Sequence, residues 1–247
     1  MLIKTLIIIV SLIIGSFLNL AIYRIPRNES LLRPGSHCPH CGHKLGPRDL
    51  FPVLSYMMLG GRCGYCKQGI NLRYPLVELI TAVSYILIYI KWGFSIESII
   101  GWLFSALLIV GAFTDIEEGV IPDMVTYPGI IMGLGLSFYS IGIKSSAIGL
   151  ILFAGIFFLA ALLSKGGMGG GDIKLAAVIG TFLGAPGSII TLFLSSLAGG
   201  LWAVFLLLRG KANRKTAIKY GPFLALAAWL VWMYGREIGD LYWRIFF

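Results

Sequence analysis

Long apolar runs broken by short polar turns dominate this chain, and the only long polar segment is residues 23–73. A membrane-crossing helix needs about 20 mainly apolar residues. By that measure the pattern predicts about eight spans, at roughly 2–22, 74–90, 96–113, 124–141, 145–163, 173–185, 187–208 and 221–238. Two divisions follow from length alone. The apolar run 173–208 is too long for one crossing, and Gly184-Ala185-Pro186-Gly187 supplies a break. The run from Met124 to Ser164 divides at Gly142 to Ser146, where Lys144 marks a turn. The expected fold is an all-α polytopic membrane protein: a first transmembrane helix over 1–22, a small cytoplasmic domain over 23–73, and a membrane-embedded core over 74–247.

Composition agrees with the pattern. The chain is 57% hydrophobic and 13% charged, with a mean hydropathy of +0.87, more apolar surface than a water-soluble domain could hide. With eight spans, 15 of the 20 Lys and Arg residues fall on one side. They include Arg24, Arg27, Arg33, Lys44 and Arg48 in the first loop and Arg209, Lys211, Arg214, Lys215 and Lys219 in the last. Lys165 and Lys174 add to the same side. Basic loops stay cytoplasmic, so both termini are expected outside. The net charge of +9 therefore reads as a topology signal, and no nucleic-acid partner is expected. The first 22 residues lack a small-x-small cleavage site, and their positive charge follows the apolar run, which favours a retained anchor over a signal peptide.

The polar segment holds all four cysteines, in Cys38-Pro39-His40-Cys41 and Cys63-Gly64-Tyr65-Cys66. Paired C-x-x-C knuckles at this separation suit a tetrahedral thiolate zinc site, with two sulfurs from each. Gly42 and Gly64 stand where tight turns are expected. Two disulfides or thioredoxin-like redox chemistry are the alternatives; a reducing cytoplasm argues against the first, and two matched pairs against the second. His37, His40 and His43 are the only histidines; with four thiolates available they are expected as solvated loop residues. Their confinement to this loop excludes a Ser-His intramembrane protease and an HExxH metalloprotease.

Acids are rare, 11 of 247 residues, and costly near hydrocarbon. Asp115 lies in a loop expected after the third span, and Asp172 ends the run Gly166-Gly167-Met168-Gly169-Gly170-Gly171 before the sixth. The topology puts both at the cytoplasmic face. Two carboxyls sharing one proton can hydrolyse an amide, one activating water while the other polarises the carbonyl. Gly169 and Gly171 would admit an extended substrate backbone. The plainer reading makes Asp172 an N-cap on a flexible linker, and the residues leave the two evenly matched. Asp123, after Pro122, reads as the N-cap of the fourth span with a lesser claim to catalysis. Glu78 lies a turn inside the second span, as a functional acid or the partner of a nearby Arg or Lys. Asn19 is expected to hydrogen-bond between helices, and Lys174 to anchor at headgroups or set charge near the dyad.

These elements together resemble the bacterial type IV prepilin peptidases. The resemblance rests on Gly15-Ser16-Phe17-Leu18-Asn19, Tyr23-Arg24-Ile25-Pro26, both knuckles, and Pro52-Val53-Leu54-Ser55-Tyr56. It continues in Arg73-Tyr74-Pro75-Leu76-Val77-Glu78, in Thr114-Asp115 through Ile121-Pro122-Asp123, and in the GxGD element Gly169-Gly170-Gly171-Asp172 with Lys174. It implies Asp115 and Asp172 as the catalytic pair of an aspartyl protease in the bacterial cytoplasmic membrane. The implied substrates are prepilins or pseudopilins whose short basic leader is cut after a glycine. It further implies methylation of the new N-terminus by S-adenosylmethionine, and a structural rather than catalytic metal. Oligomeric state is left open. Two rivals remain: an ion-coupled carrier, which requires acids deep in the bilayer and repeated halves, and a zinc-stabilised assembly factor indifferent to loss of both aspartates.

Overall fold

The computed structural model describes residues 2–46, 48–164, 168–211 and 218–246, the last six of these by backbone alone. Lys165, Gly166, Gly167, Arg214 and Lys215, which entered the charge and glycine patterns, lie outside the described residues. The long elements are helices: α1 (Leu2–Arg24), the short α2 (Leu54–Met58), α3 (Arg73–Trp92), α4 (Ile96–Glu118), α5 (Asp123–Leu136), α6 (Ile143–Leu163), α7 (Gly170–Leu208) and α8 (Gly221–Phe246). No strand occurs among the described residues. Among the described residues five helices, α1, α3, α4, α6 and α7, are long and apolar enough to cross a membrane.

Contacts divide the chain into Met1–Val110 and Gly111–Phe247. In the first unit α1 packs along α3. The buried Asn19 donates from Nδ2 to the Tyr74 carbonyl at 2.9 Å, the interhelical bond its position led one to expect. Arg24, also buried, folds the following chain back by donating to the carbonyls of Ser30 (2.8 Å) and Pro34 (2.7 Å). Among the described residues Glu78 has no Arg or Lys partner. Its Oε2 accepts the Val53 N–H at 2.7 Å, which pins the start of α2. Val53 centres a tight γ-turn, φ 61° and ψ −48°, closed by the Leu54 N–H on the Pro52 carbonyl at 2.6 Å. This conformation is strained for a β-branched residue, and the buried carboxylate holds it there.

In the second unit α7 is the axis against which α5, α6 and α8 pack. Gly149 of α6 and Gly180 of α7 meet backbone to backbone; a Cβ on either would collide with the other chain. Such small-residue contacts let helices approach closely where no hydrophobic drive between them exists. Ser146 adds a buried hydroxyl donated to the Thr181 carbonyl at 2.7 Å. α7 spans 39 residues but is non-helical at Gly184, φ 65° and ψ −174°, so its apolar run breaks within the glycine-proline stretch expected to divide it. α5 is shorter than the span 124–141: it ends at Leu136 and tightens into a 3₁₀ turn over Ser137–Tyr139. Fourteen residues reach only about 21 Å.

A candidate carboxylate site and a four-cysteine cluster

Asp115 and Asp172 both sit on helices, not in loops. α4 continues past the apolar window to Glu118 and ends where the Gly119 N–H, at φ 69°, closes on the Asp115 carbonyl at 2.9 Å. Nothing between Thr114 and Glu118 breaks a helix, so the polar end keeps winding until glycine offers a left-handed stop. Asp172 lies in the first turn of α7, whose N-cap is Gly169. It is therefore not the cap, although a carboxylate there still faces the positive helix end.

Close packing brings the two helix ends together. Gly111, one turn before Asp115, lies against Leu175, three residues after Asp172. A Cβ on Gly171 would stand 3.0 Å from the Ile121 side chain, so the close approach this glycine permits is by the protein's own chain. Asp172 lies within electrostatic reach of Asp115. The surroundings of the two acids differ. Asp115 is 7% exposed, and its Oδ2 accepts the Gly221 N–H at 3.0 Å. Asp172 keeps Oδ1 buried with no hydrogen-bond partner among the described residues. A buried acceptor left unpaired is expensive, and active sites are where such atoms persist.

Asp123 is the first residue of α5, where Pro122 is the N-cap, and no side-chain capping bond forms there. The Asp123 carboxylate instead accepts from Lys174, whose ammonium also lies over the Tyr127 ring at 5.4 Å. Lys174 thus ties α7 to α5 rather than to an acid of the pair. The sequence did not single out Gly221, and it read Lys219 only as one of the basic residues of the last loop. Tyr220-Gly221-Pro222 is a visible turn signal before an apolar run, but nothing local says which acid it faces.

In the first unit the sulfurs of Cys38, Cys41, Cys63 and Cys66 all lie within 4.8 Å of one another, with 3.9 Å between Cys38 and Cys66. No disulfide joins them. The two knuckles repeat one design. The N–H groups of Cys38 and Cys63 reach the carbonyls of His43 and Gln68, and those of Gly42 and Lys67 return to Cys38 and Cys63. Both Gly42 and Lys67 have positive φ, 70° and 61°; Gly64 does not. His43 stacks on Tyr65 across the knuckles at 3.5 Å, and the cluster itself is made of cysteines alone among the described residues. Backbone N–H groups of Cys66 and Tyr65 hold the Cys63 thiol down at about 7. At Cys66 the Gln68 N–H acts in the same direction, but burial and bonds to the other sulfurs outweigh it and push the thiol up to about 11. Zn–S bonds of about 2.3 Å would set tetrahedral sulfurs about 3.8 Å apart, so the residues fit a metal ion of that kind.

Comparison with known proteins agrees with this division of features. Residues 9–92 match the bacterial peptidase A24 N-terminal domain, and residues 102–204 match the type IV leader peptidase family. A prepilin leader peptidase/N-methyltransferase of Pseudomonas putida is 32% identical, covering 95% of this chain and 91% of the relative. One from Bacillus subtilis (strain 168) is 35% identical, covering 95% of each. The chain belongs to the type IV leader peptidase family. A third member, from Aeromonas hydrophila, is 33% identical over 96% of this chain and 93% of its own. No solved structure matches.

Proposed function

We propose that this type IV leader peptidase is a membrane aspartic endopeptidase that removes the basic leader from type IV prepilins and pseudopilins after a glycine. It then N-methylates the new N-terminus with S-adenosylmethionine as co-substrate. The observation that carries the peptidase reading is the pairing of Asp115 with Asp172, one carboxylate hydrogen-bonded and the other with a buried, unpartnered oxygen. One carboxyl takes the proton from an attacking water while the other donates to the scissile carbonyl, and the proton then passes to the leaving amine. The two titrations belong to the pair. Gly169 caps the helix that carries Asp172, Gly171 admits Ile121 beside it, and Lys174 with Asp123 ties α7 to α5, whereas Glu78 serves the Val53 turn.

We place the chain in the bacterial cytoplasmic membrane with about eight crossings, counting α7 twice at Gly184 and including α5 and α8. Both termini lie outside and the carboxylates at the cytoplasmic face, where a basic leader stays. Residues 23–73 form a cytoplasmic zinc-binding domain held by Cys38, Cys41, Cys63 and Cys66, and residues 74–247 form the protease core. Zinc there is structural, since four thiolates leave no open position for substrate. A prepilin incubated with this protein and the methyl donor should lose its leader and gain a methyl group by mass spectrometry. An intact leader under those conditions overturns the reading.

A further inference from the structure

Of three consecutive residues at the start of α8, the outer two bond to the end of α4 and the middle one to α7. The Gly221 N–H donates to Asp115 Oδ2 at 3.0 Å. The Lys219 ammonium donates to the Ile116 carbonyl at 2.6 Å, one of the last carbonyls of a helix and so without a partner inside it. Its charge also reaches Asp115. Between them Tyr220 turns the other way. Its hydroxyl meets Ser195 Oγ at 2.7 Å and Ser196 Oγ at 3.3 Å on α7, and Ser195 itself donates to the Leu192 carbonyl, so the tyrosine donates to Ser195. The Tyr220 ring packs against Phe157 at 5.9 Å and over Gly199. The Tyr220 carbonyl then accepts the first N–H groups of α8, from Phe223 and Leu224. A short turn is thereby fastened to α6 and α7 at its middle and to α4 at both flanks.

We infer that Lys219-Tyr220-Gly221 is a positioning clamp that fixes the Asp115 carboxylate for the peptidase reaction; this rests on the reading that Asp115 is catalytic. Glycine is required at 221 because of space. A Cβ there would stand 2.8 Å from Asp115 Oδ2, the end of that side chain, and 3.1 Å from its Cβ and Cγ, so it is the carboxylate itself that must give way. The carboxylate would have to turn away, and the N–H that holds it would no longer reach. Lys219 fixes the helix end that bears the acid, and Tyr220 fixes the turn. The clamp also places Asp115 against the N-terminal end of α8, where the helix dipole favours a carboxylate. None of the three gives or takes a proton in the reaction; they act through Asp115.

The test compares variants of the full-length protein in membranes, cleaving a prepilin, with kcat and KM resolved and the pH profile recorded. Gly221→Ala should lower kcat by about 100-fold or more, because displacing a reacting group by about 1 Å costs that much, with KM little changed. Gly200→Ala is the control, since an added Cβ there meets nothing within 4 Å, and it should cleave as the wild type does. Lys219→Met should lower kcat by about tenfold and change the pH profile, with Lys219→Arg restoring both, since loss of one charge-assisted bond is of that order. Tyr220→Phe should show a smaller loss. Gly221→Ala with wild-type kcat overturns the clamp. Should that variant fail to accumulate, the Lys219 pair decides: Lys219→Met matching the wild type in kcat and pH profile overturns it. An inert wild type, or an active Asp115→Asn, overturns the peptidase reading instead.

Discussion

Glu78 in the first unit and Asp115 in the second each accept a backbone N–H from the start of another helix, Val53 at 2.7 Å and Gly221 at 3.0 Å. Both carboxylates are buried in apolar helices, and by sequence alone both look functional. Their settings separate them. Glu78 is held by Val53 and by the Ser16 hydroxyl, and what it secures is a strained turn. Asp115 is held by a glycine that leaves it room, and it faces a second carboxylate with an oxygen to spare. A buried acid is therefore no evidence of chemistry until its neighbours are counted. The anchor has its bonds filled; the pair proposed as catalytic does not.

The largest effect that would break this contrast is at the pair. Asp115→Asn or Asp172→Asn should each reduce leader cleavage on the order of 10³-fold or more while the protein still accumulates, as expected for a lost general acid or base. Normal cleavage by either variant would put the two units on the same footing. Next comes the metal. Elemental analysis should find about one zinc per chain, and a strong chelator or Cys38→Ser should lower the melting temperature and loosen residues 23–73 to proteolysis. The ligands bind as thiolates, so occupancy should fall as acid protonates them, with Cys63, near 7, the last to take up its proton. A metal-free, fully folded protein would refute the site. Glu78→Ala should cost about 2 kcal/mol of stability by orphaning the Val53 N–H, with a far smaller loss of cleavage than either aspartate change. The smallest effect belongs to Val53→Gly, which should gain about 1 kcal/mol by removing strain and couple with Glu78→Ala in a double-mutant cycle. Additivity of that pair would mean the carboxylate does not hold the turn.

The cysteine cluster was readable because each knuckle is local: four consecutive residues set two sulfurs, and only the pairing of two such units had to be guessed. Asp115 and Asp172 stood out for another reason, the rarity of acids beside hydrocarbon. What escaped was whatever depends on distant chain. Gly221 lies 106 residues from the acid it serves, and a glycine before proline announces a turn without saying what the turn faces. The ends of helices escaped too. Apolarity stops near residue 113, yet α4 winds on to Glu118, because hydropathy marks where hydrocarbon ends and not where backbone hydrogen bonding does. Asp123 looked like a cap because it follows proline at the head of a helix; the Lys174 ammonium gives its carboxylate a stronger partner than a backbone N–H would.

The interruption of α7 at Gly184 has a mechanical consequence. The segment before it carries Asp172, and the segment after it carries Ser195, to which Tyr220 and thus the seat of Asp115 are moored. Asp172 and the mooring of Asp115 therefore lie on opposite sides of one break in α7. Gly184 has φ 65° and a Cβ there would stand 2.5 Å from Ser145 Oγ, so Gly184→Ala should strain this junction and displace the two acids relative to each other.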